Sequence, residues 1–338
     1  MTHINIITAS AGNIFFAQWN RKKYPESEYD IRFNSDEDME WDVVVVYENT
    51  GSHDTFKCRK GGLVFIAGEP PLMRPYPTAY LKQFDIVVLP KPNVRHPHHI
   101  LSHGFLNWSL GFGFKTHVNR YSYEDLVNLK PEKVKDISIV TSSKAMMPGH
   151  VQRLRIIEQL KKDFPGQIDY FGAGHNPVEF KADALLPYRF HICMENCTIP
   201  YYWTEKFSDP VLAESVPIYA GCTNIDDYFH GKGYLTFNFS DYQSLKLTIK
   251  RILDSPKEVY HTYLPALKET KRNIMELENV IPFAINYAKG MKPTDKIEVH
   301  SIRQQATYRS YKVLLYSIKL KRFALRGYYA LKTMFTNQ

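Results

Sequence analysis

Glu205 and Lys206 stand side by side in the stretch YWTEKFSDPVLAES, just after the apolar run YRFHICM and the rings of Tyr201, Tyr202 and Trp203. Thr204 is suited to cap the helix that the following residues favour, with Glu205 and Lys206 in its first turn. A carboxylate belongs at a helix start, where the backbone dipole is positive, but an ammonium group does not. The misplacement is resolved if a phosphate lies before the helix: backbone N–H groups point at it and Lys206 neutralises it. Glu205 would then accept from ligand hydroxyls, and Tyr202 would offer a ring face or a hydroxyl. An ordinary helix start with a surface ion pair is the competing reading, and three residues alone do not exclude it.

Other residues have the types for related chemistry. In VFIAGEPP, Glu69 follows a strand-like run and precedes Pro70 and Pro71, which puts a carboxylate on a stiff loop at a strand's C-terminal end. On residue type alone it could be a turn residue pinned by its own backbone contacts. In PGHVQRLRIIEQL, Arg153 and Arg155 enter a helix whose Leu154, Ile157 and Leu160 share a face. Either could lie on a solvated face. His96, His98, His99 and His103 crowd into NVRHPHHILSHG, with His99 and His103 at the i, i+4 spacing a helix could turn toward zinc. No acidic motif accompanies them, and no metal is expected. Cys58, Cys193, Cys197 and Cys222 lack the paired spacing of a zinc site and are expected to be buried, reduced thiols of a cytoplasmic protein.

The elements that must position these residues follow from the pattern of apolar runs. HINIIT (3–8), WDVVVVYEN (41–49), GLVFIAGEPP (62–71) and FDIVVLPKP (84–92) are continuous rather than alternating, as in parallel strands buried on both faces. A second series of strand and helix begins near Lys135: KDISIVTSS, the helix carrying Arg153, QIDYFGAG, YRFHICMEN, the helix after Thr204, VPIYAG and YLTFNFS. SLKLTIKRILDSPKEVYHTYL then has helical spacing, interrupted at Pro256. Alternating strands and helices predict α/β domains, whose ligands bind where the strands' C-terminal ends meet helix N-termini. The expected divisions are an N-terminal domain over 1–125, a second domain over 126–300 and a tail over 301–338, with the linker within 115–135.

With 338 residues, 44% of them apolar, the chain suits two domains and is not disordered. No run approaches the length of a membrane-spanning helix, and the first residues lack a signal peptide's charged start and apolar stretch. The net charge of +8 is uneven. Residues 299–338 hold eight basic residues and no acid, while residues 1–298 balance 35 of each sign. Within YRSYKVLLYSIKLKRFALRGYYALKTMF, Lys312, Lys319 and Arg326 recur every seven residues, beside Tyr311, Leu315, Ile318 and Leu325. A helix with that face is expected to dock on an anionic inner-membrane surface; packing on the body, with its charges solvated, is the alternative. Basic and aromatic interleaving alone is weak evidence for nucleic acid, which is not expected as a partner.

Taken together, YRFHICMEN (188–196), YWTEK (202–206), VPIY (216–219) and Gly221 resemble the signature of the α-1,3-fucosyltransferases, glycosyltransferase family 10. The resemblance implies a GT-B-like fold of two facing Rossmann-like domains with mostly parallel sheets, here followed by a basic helical tail. It implies an inverting transfer of L-fucose from GDP-fucose to a glycan hydroxyl, with no tightly bound cofactor and no required divalent metal. The implied acceptor is an N-acetylglucosamine or glucose unit of a surface polysaccharide or lipopolysaccharide. By position in the motifs, Asn196, Tyr202, Thr204, Glu205 and Lys206 would hold the donor. Arg153, or Arg155 in second place, would bind the diphosphate, and Glu69 would act as general base. A GT-B enzyme using another GDP-sugar, or a non-catalytic glycan- or nucleic-acid-binding protein, would keep parts of the same pattern.

Overall fold

Continuous β-branched runs become fully buried parallel strands. The computed structural model describes residues 1–9, 12–71, 73–113, 115–142 and 148–335, and the chain divides into two compact units. Unit 1 comprises residues 1–107, 122–124 and 276–319; unit 2 comprises 108–121, 125–275 and 320–338.

The chain begins with β1 (Thr2–Thr8), β2 (Tyr29–Phe33), β3 (Glu40–Trp41), β4 (Val43–Tyr47), β5 (Thr55–Arg59) and β6 (Leu63–Ile66). The short helix α1 (Thr78–Leu81), β7 (Ile86–Leu89) and β8 (His99–Leu101) complete this series. Six of these strands form an all-parallel sheet in the order β2-β1-β4-β6-β7-β8. Every residue of β4 and β6 is buried, as expected of strands covered on both faces. Strand order reverses at β1, whose successors lie on either side of it, and the crevice beyond β1 and β4 is where such sheets bind ligands.

Helix α2 (Tyr123–Asn128) leads into the second series: β9 (Lys135–Val140), α3 (Pro148–Asp163), β10 (Asp169–Phe171), β11 (Tyr188–Met194), α4 (Glu205–Leu212), β12 (Val216–Ala220) and β13 (Leu235–Thr236). Their sheet is again parallel, in the order β10-β9-β11-β12-β13, with its reversal between β9 and β11. All seven residues of β11 are buried. Two helices follow, α5 (Tyr242–Asp254) and α6 (Pro256–Glu276). The helical run is interrupted there as expected: α5 ends at Asp254, and Pro256 starts the next helix, a position where proline's missing N–H has no intrahelical role.

The last part of the chain departs from the expected boundaries. Helix α7 (Val280–Gly290) and β14 (Ile297–Ser301) belong to unit 1 rather than to the second domain. The physical reason is a ladder: β14 pairs antiparallel with β5 from Ile297–Arg59 to Ser301–Thr55, in a small sheet ordered β14-β5-β3. Ile302, next along, is buried with Trp41, Cys58 and Phe65. The helical part of the tail is α8 (Arg309–Phe335), and its inner face is the one expected to meet a membrane: Ile318 is buried and Tyr311 and Leu315 are partly so. Lys312 and Lys319 are exposed, and the side chains of Leu325 and Arg326 lie outside the described residues. Among the described residues, no helix is long and apolar enough to cross a membrane.

Candidate active site

Unit 2 has a cavity at the reversal of its strand order. Its walls are the C-terminal halves of β9 and β11, and Arg153, Lys181, His191 and Lys206 supply its polar lining. Three cations thus meet where the two central strands run out.

Lys206 is placed by the start of α4. Thr204 has the extended backbone of an N-cap, φ −136°, and its hydroxyl accepts the Lys206 N–H at 3.2 Å. The same hydroxyl lies 2.9 Å from both oxygens of Glu195, which is fully buried, and the Thr204 N–H donates to Glu195 Oε1 at 2.8 Å. The exit of β11 and the start of α4 are therefore tied through one carboxylate. Burial raises the Glu195 carboxyl above its usual range, against the pull of Lys206. The Lys206 ammonium lies 3.0 Å from Glu205 Oε1 and 3.6 Å from Glu195 Oε2. Burial opposes its charge, but these two carboxylates hold its pKa above the ordinary lysine value. Burial also pushes the Glu205 carboxyl up; Lys206 and Lys181 more than reverse this and hold it at about 2.

Lys181 lies on a 3-10 turn before β11, and its Nζ donates to Asp209 Oδ2 at 2.7 Å and to the Glu205 carbonyl at 3.2 Å. Asp209, fully buried on α4, also accepts the Ser109 N–H, and burial lifts its carboxyl to about 6 despite Lys181. His191 is kept neutral by burial. Its Nδ1–H donates to Ser138 Oγ at 2.8 Å, because that hydroxyl gives its own proton to the Ala184 carbonyl.

Arg153 differs from the two lysines. It projects from the second turn of α3, is 7% exposed, and makes no ion pair among the described residues. One Nη2–H donates to the Ser142 carbonyl at 3.2 Å, and Nε has no partner. Burial lowers its pKa. A buried guanidinium without a carboxylate is costly unless an anion completes it. With Lys206 beside it in the same cavity, the arrangement fits a ligand bearing clustered negative charge, such as a diphosphate.

The remaining expected donor residues are distributed unevenly. Asn196 accepts from His150 Nε2 at 2.9 Å, and Gly149 lies so close to it that an added Cβ would stand 2.2 Å from the Asn196 carbonyl oxygen. Asn196 therefore shapes the junction of β11 with the start of α3 and does not line the cavity. Tyr202 is 3% exposed and is also outside the lining, as is Arg155. Trp203 is core, packed against Phe207, Tyr228 and Phe229. Residues 143–147, part of the segment expected to lead into α3, lie outside the described residues.

Glu195, Lys181, His191 and Asp209 were not singled out from sequence. Glu195 stood within the quoted EN motif, where a carboxylate ending an apolar strand is itself a signal. Lys181 and Asp209 carry no local pattern; only folding shows them to be partners.

Glu69 belongs to unit 1. It stands just past the C-terminal end of β6, partly exposed, and its N–H donates to Glu48 Oε1 at 2.6 Å. The nearby histidines form no helix. His99 lies in β8, and His103, fully buried, donates from Nε2 to Glu278 at 2.8 Å while its Nδ1 accepts the Phe105 N–H. Among the described residues, no three His, Cys, Asp or Glu side chains form a metal-binding group. All four cysteines, Cys58, Cys193, Cys197 and Cys222, are buried.

Residues 130–284 match the family model described as glycosyltransferase family 10 (fucosyltransferase) C-terminal domain. Human GDP-fucose protein O-fucosyltransferase 3 is 32% identical over 109 residues, 30% of this chain and 21% of that protein. α-(1,3)-Fucosyltransferase B of Drosophila melanogaster is 30% identical over 106 residues, 30% of this chain and 23% of that protein. The chain thus spans about a fifth of the length of these curated relatives. Among solved structures, an α1,3-fucosyltransferase with GDP aligns with 94% of this chain and 90% of its own, at 15% identity and a TM-score of 0.45. The segment that contains the whole cavity and its three cations is therefore similar in sequence to the C-terminal domain of glycosyltransferase family 10, the fucosyltransferases.

Proposed function

We propose that this protein is an inverting fucosyltransferase that uses GDP-fucose as donor and a glycan hydroxyl as acceptor. The observation that carries the reading is Arg153, a buried cation with no carboxylate partner among the described residues, beside Lys206 in a cavity within the family-matched segment. In this reading the two cations hold the donor's diphosphate and stabilise the charge that develops as GDP departs, with Lys181 behind them. Glu205 accepts from donor hydroxyls once the diphosphate competes for Lys206. The acceptor oxygen attacks the anomeric carbon on the face opposite GDP, and the bond to the diphosphate oxygen breaks with its electron pair leaving on GDP. Glu69 takes the acceptor's proton.

The finer assignments rest on resemblance. They are an α-1,3 linkage, an N-acetylglucosamine or glucose acceptor in a surface polysaccharide, and a peripheral position at an anionic membrane. A hydroxyl of a protein side chain is the competing acceptor, favoured by the match to a relative named as a protein O-fucosyltransferase. For the membrane, α8 offers a different face from the one expected. Val313, Tyr316, Leu320 and Phe323 are 64%, 64%, 52% and 78% exposed and fall on one stripe at i, i+3, i+7, i+10.

The test is product analysis after incubation with GDP-fucose, GDP-mannose and GDP-glucose against mixed glycan and peptide acceptors. Fucosylated product, lost in Arg153→Met and Lys206→Ala together with GDP binding, supports the reading. No GDP binding by the intact protein, or unchanged transfer in both variants, overturns it.

A further inference from the structure

The exit of β4 holds a residue that the reaction as proposed does not use. Glu48 follows Tyr47 with φ +70°, the left-handed region, which costs a non-glycine residue about 1–2 kcal/mol. Its backbone is fixed there, with the N–H donating to the Ile66 carbonyl at 2.9 Å. The side chain is pointed at the neighbouring strand exit. Glu48 Oε1 accepts the N–H groups of Gly68 and Glu69, the latter at 2.6 Å, and the Tyr76 hydroxyl at 2.7 Å. Glu48 Oε2 accepts from Arg74 Nη1 at 2.9 Å. Four donors converge on one carboxylate, and two of them are the backbone of the loop that carries Glu69.

The other walls of that loop are equally close. A Cβ added at Gly68 would stand 2.6 Å from Tyr47 Oη, and one at Gly104 would stand 2.4 Å from the Ala67 carbonyl oxygen. Tyr76 keeps its proton for Glu48, since burial holds its pKa well above the ordinary tyrosine value. Burial opposes the charge of Arg74, and Glu48 above all, with Tyr76 and Glu69 behind it, favours that charge. The Glu48 carboxylate is engaged by four donors, and what it can do is fix where the Glu69 backbone sits.

We infer that Glu48 is the positioning residue of the Gly68–Glu69 loop, setting the Glu69 carboxylate for proton abstraction. This rests on Glu69 being the base. A backbone carboxylate clamp of this kind explains why a strained left-handed Glu is kept at the end of an otherwise regular strand. It also requires that neither residue 68 nor residue 69 be proline, since two consecutive N–H groups must both reach one oxygen.

The experiment compares wild type, Glu48→Gln, Glu48→Asp, Glu69→Gln and the Glu48→Gln/Glu69→Gln double variant. Fucosyl transfer from GDP-fucose to N-acetyllactosamine, GDP binding by calorimetry and thermal melting are measured for each. Loss of the clamp displaces the base by an ångström or less, so Glu48→Gln is expected to lower kcat about 100-fold. GDP affinity and KM for GDP-fucose should stay within about twofold of wild type, since both reside in unit 2. Glu48→Asp, which keeps the charge and tolerates a left-handed backbone, recovers about a tenth or more of wild-type kcat. The double variant is no slower than Glu69→Gln alone, because Glu48 acts through Glu69. The inference is overturned if Glu48→Gln and Glu48→Asp both fold and retain wild-type kcat. It is also overturned if the two single losses multiply in the double variant. Undiminished transfer by Glu69→Gln would remove the base reading itself; a collapse in Glu69→Gln with wild-type activity in Glu48→Gln would remove only the role of Glu48.

Discussion

The Thr204 hydroxyl lies 2.9 Å from the fully buried Glu195 carboxylate while accepting the Lys206 N–H at 3.2 Å. One side chain thus caps α4 and satisfies a carboxylate at the end of β11, and both roles set where Lys206 starts. Thr204→Val keeps the shape and loses the hydroxyl. Loss of the cap and of a donor to a buried carboxylate is expected to cost about 2 kcal/mol of stability. Thermal melting should show the loss, and GDP titration should show roughly tenfold weaker binding as Lys206 shifts.

Glu205 makes acid sensitivity a local readout. Its carboxyl is held at about 2, below the usual 4.5, so its contribution is complete above pH 4.5 and is lost as pH falls toward 2. The full amount is roughly 3 kcal/mol at 1.36 kcal/mol per pH unit. Stability measured by urea unfolding should fall more steeply between pH 4.5 and 3 in wild type than in Glu205→Gln. Parallel curves for the two proteins would show that Lys206 is not its partner in solution.

Lys133 has the opposite sign. Its Nζ reaches the carbonyls of Leu186 at 2.9 Å and Ala213 at 2.7 Å, and burial pushes its pKa down to about 7, against the pull of Glu214. The folded state therefore resists the charged form. The penalty is full below pH 7 and vanishes as pH rises toward 10.5. Wild type should gain stability relative to Lys133→Met between pH 7 and 9.5. A constant difference across that range would mean that the amine stays charged at its carbonyls.

The stripe on α8 predicts vesicle binding that depends on outer rather than inner positions. Tyr316→Ser with Phe323→Ser should weaken binding to phosphatidylglycerol vesicles by at least about tenfold. Lys312→Glu with Lys319→Glu should do so in a salt-sensitive manner, each basic residue contributing about 1 kcal/mol. Binding unchanged in both double variants would remove α8 as a membrane contact.

Much of unit 2 was legible because its signals are local. β11, Thr204 as cap and Lys206 in the first turn of α4 follow from an apolar run, a capping residue and a charge against the dipole. Glu69 at the end of β6 was legible for the same reason. The partners were not. Lys181 meets Asp209 across 28 residues, and Glu48 meets the Glu69 backbone across 21. Tyr202 looked available because it is aromatic and near charges, yet it is buried. The tail's seven-residue repeat of basic residues was visible, but which side of a helix packs inward depends on what it packs against. The division at residue 300 failed because antiparallel pairing of β14 with β5 leaves no mark in either strand alone.

That pairing has a consequence for how the protein is made. Residues 1–107 of unit 1 are made before the main segment of unit 2, but β14 and Ile302 arrive only after the whole of α6 has been synthesised. The main continuous segment of unit 2 is complete well before that. During synthesis the first unit waits, with β5 unpaired on the side β14 will cover, while the second has its main segment available to fold. A chain interrupted between β5 and β14 would therefore leave an edge of the earlier-made unit 1, rather than the later-made segment of unit 2, for chaperones and proteases to meet.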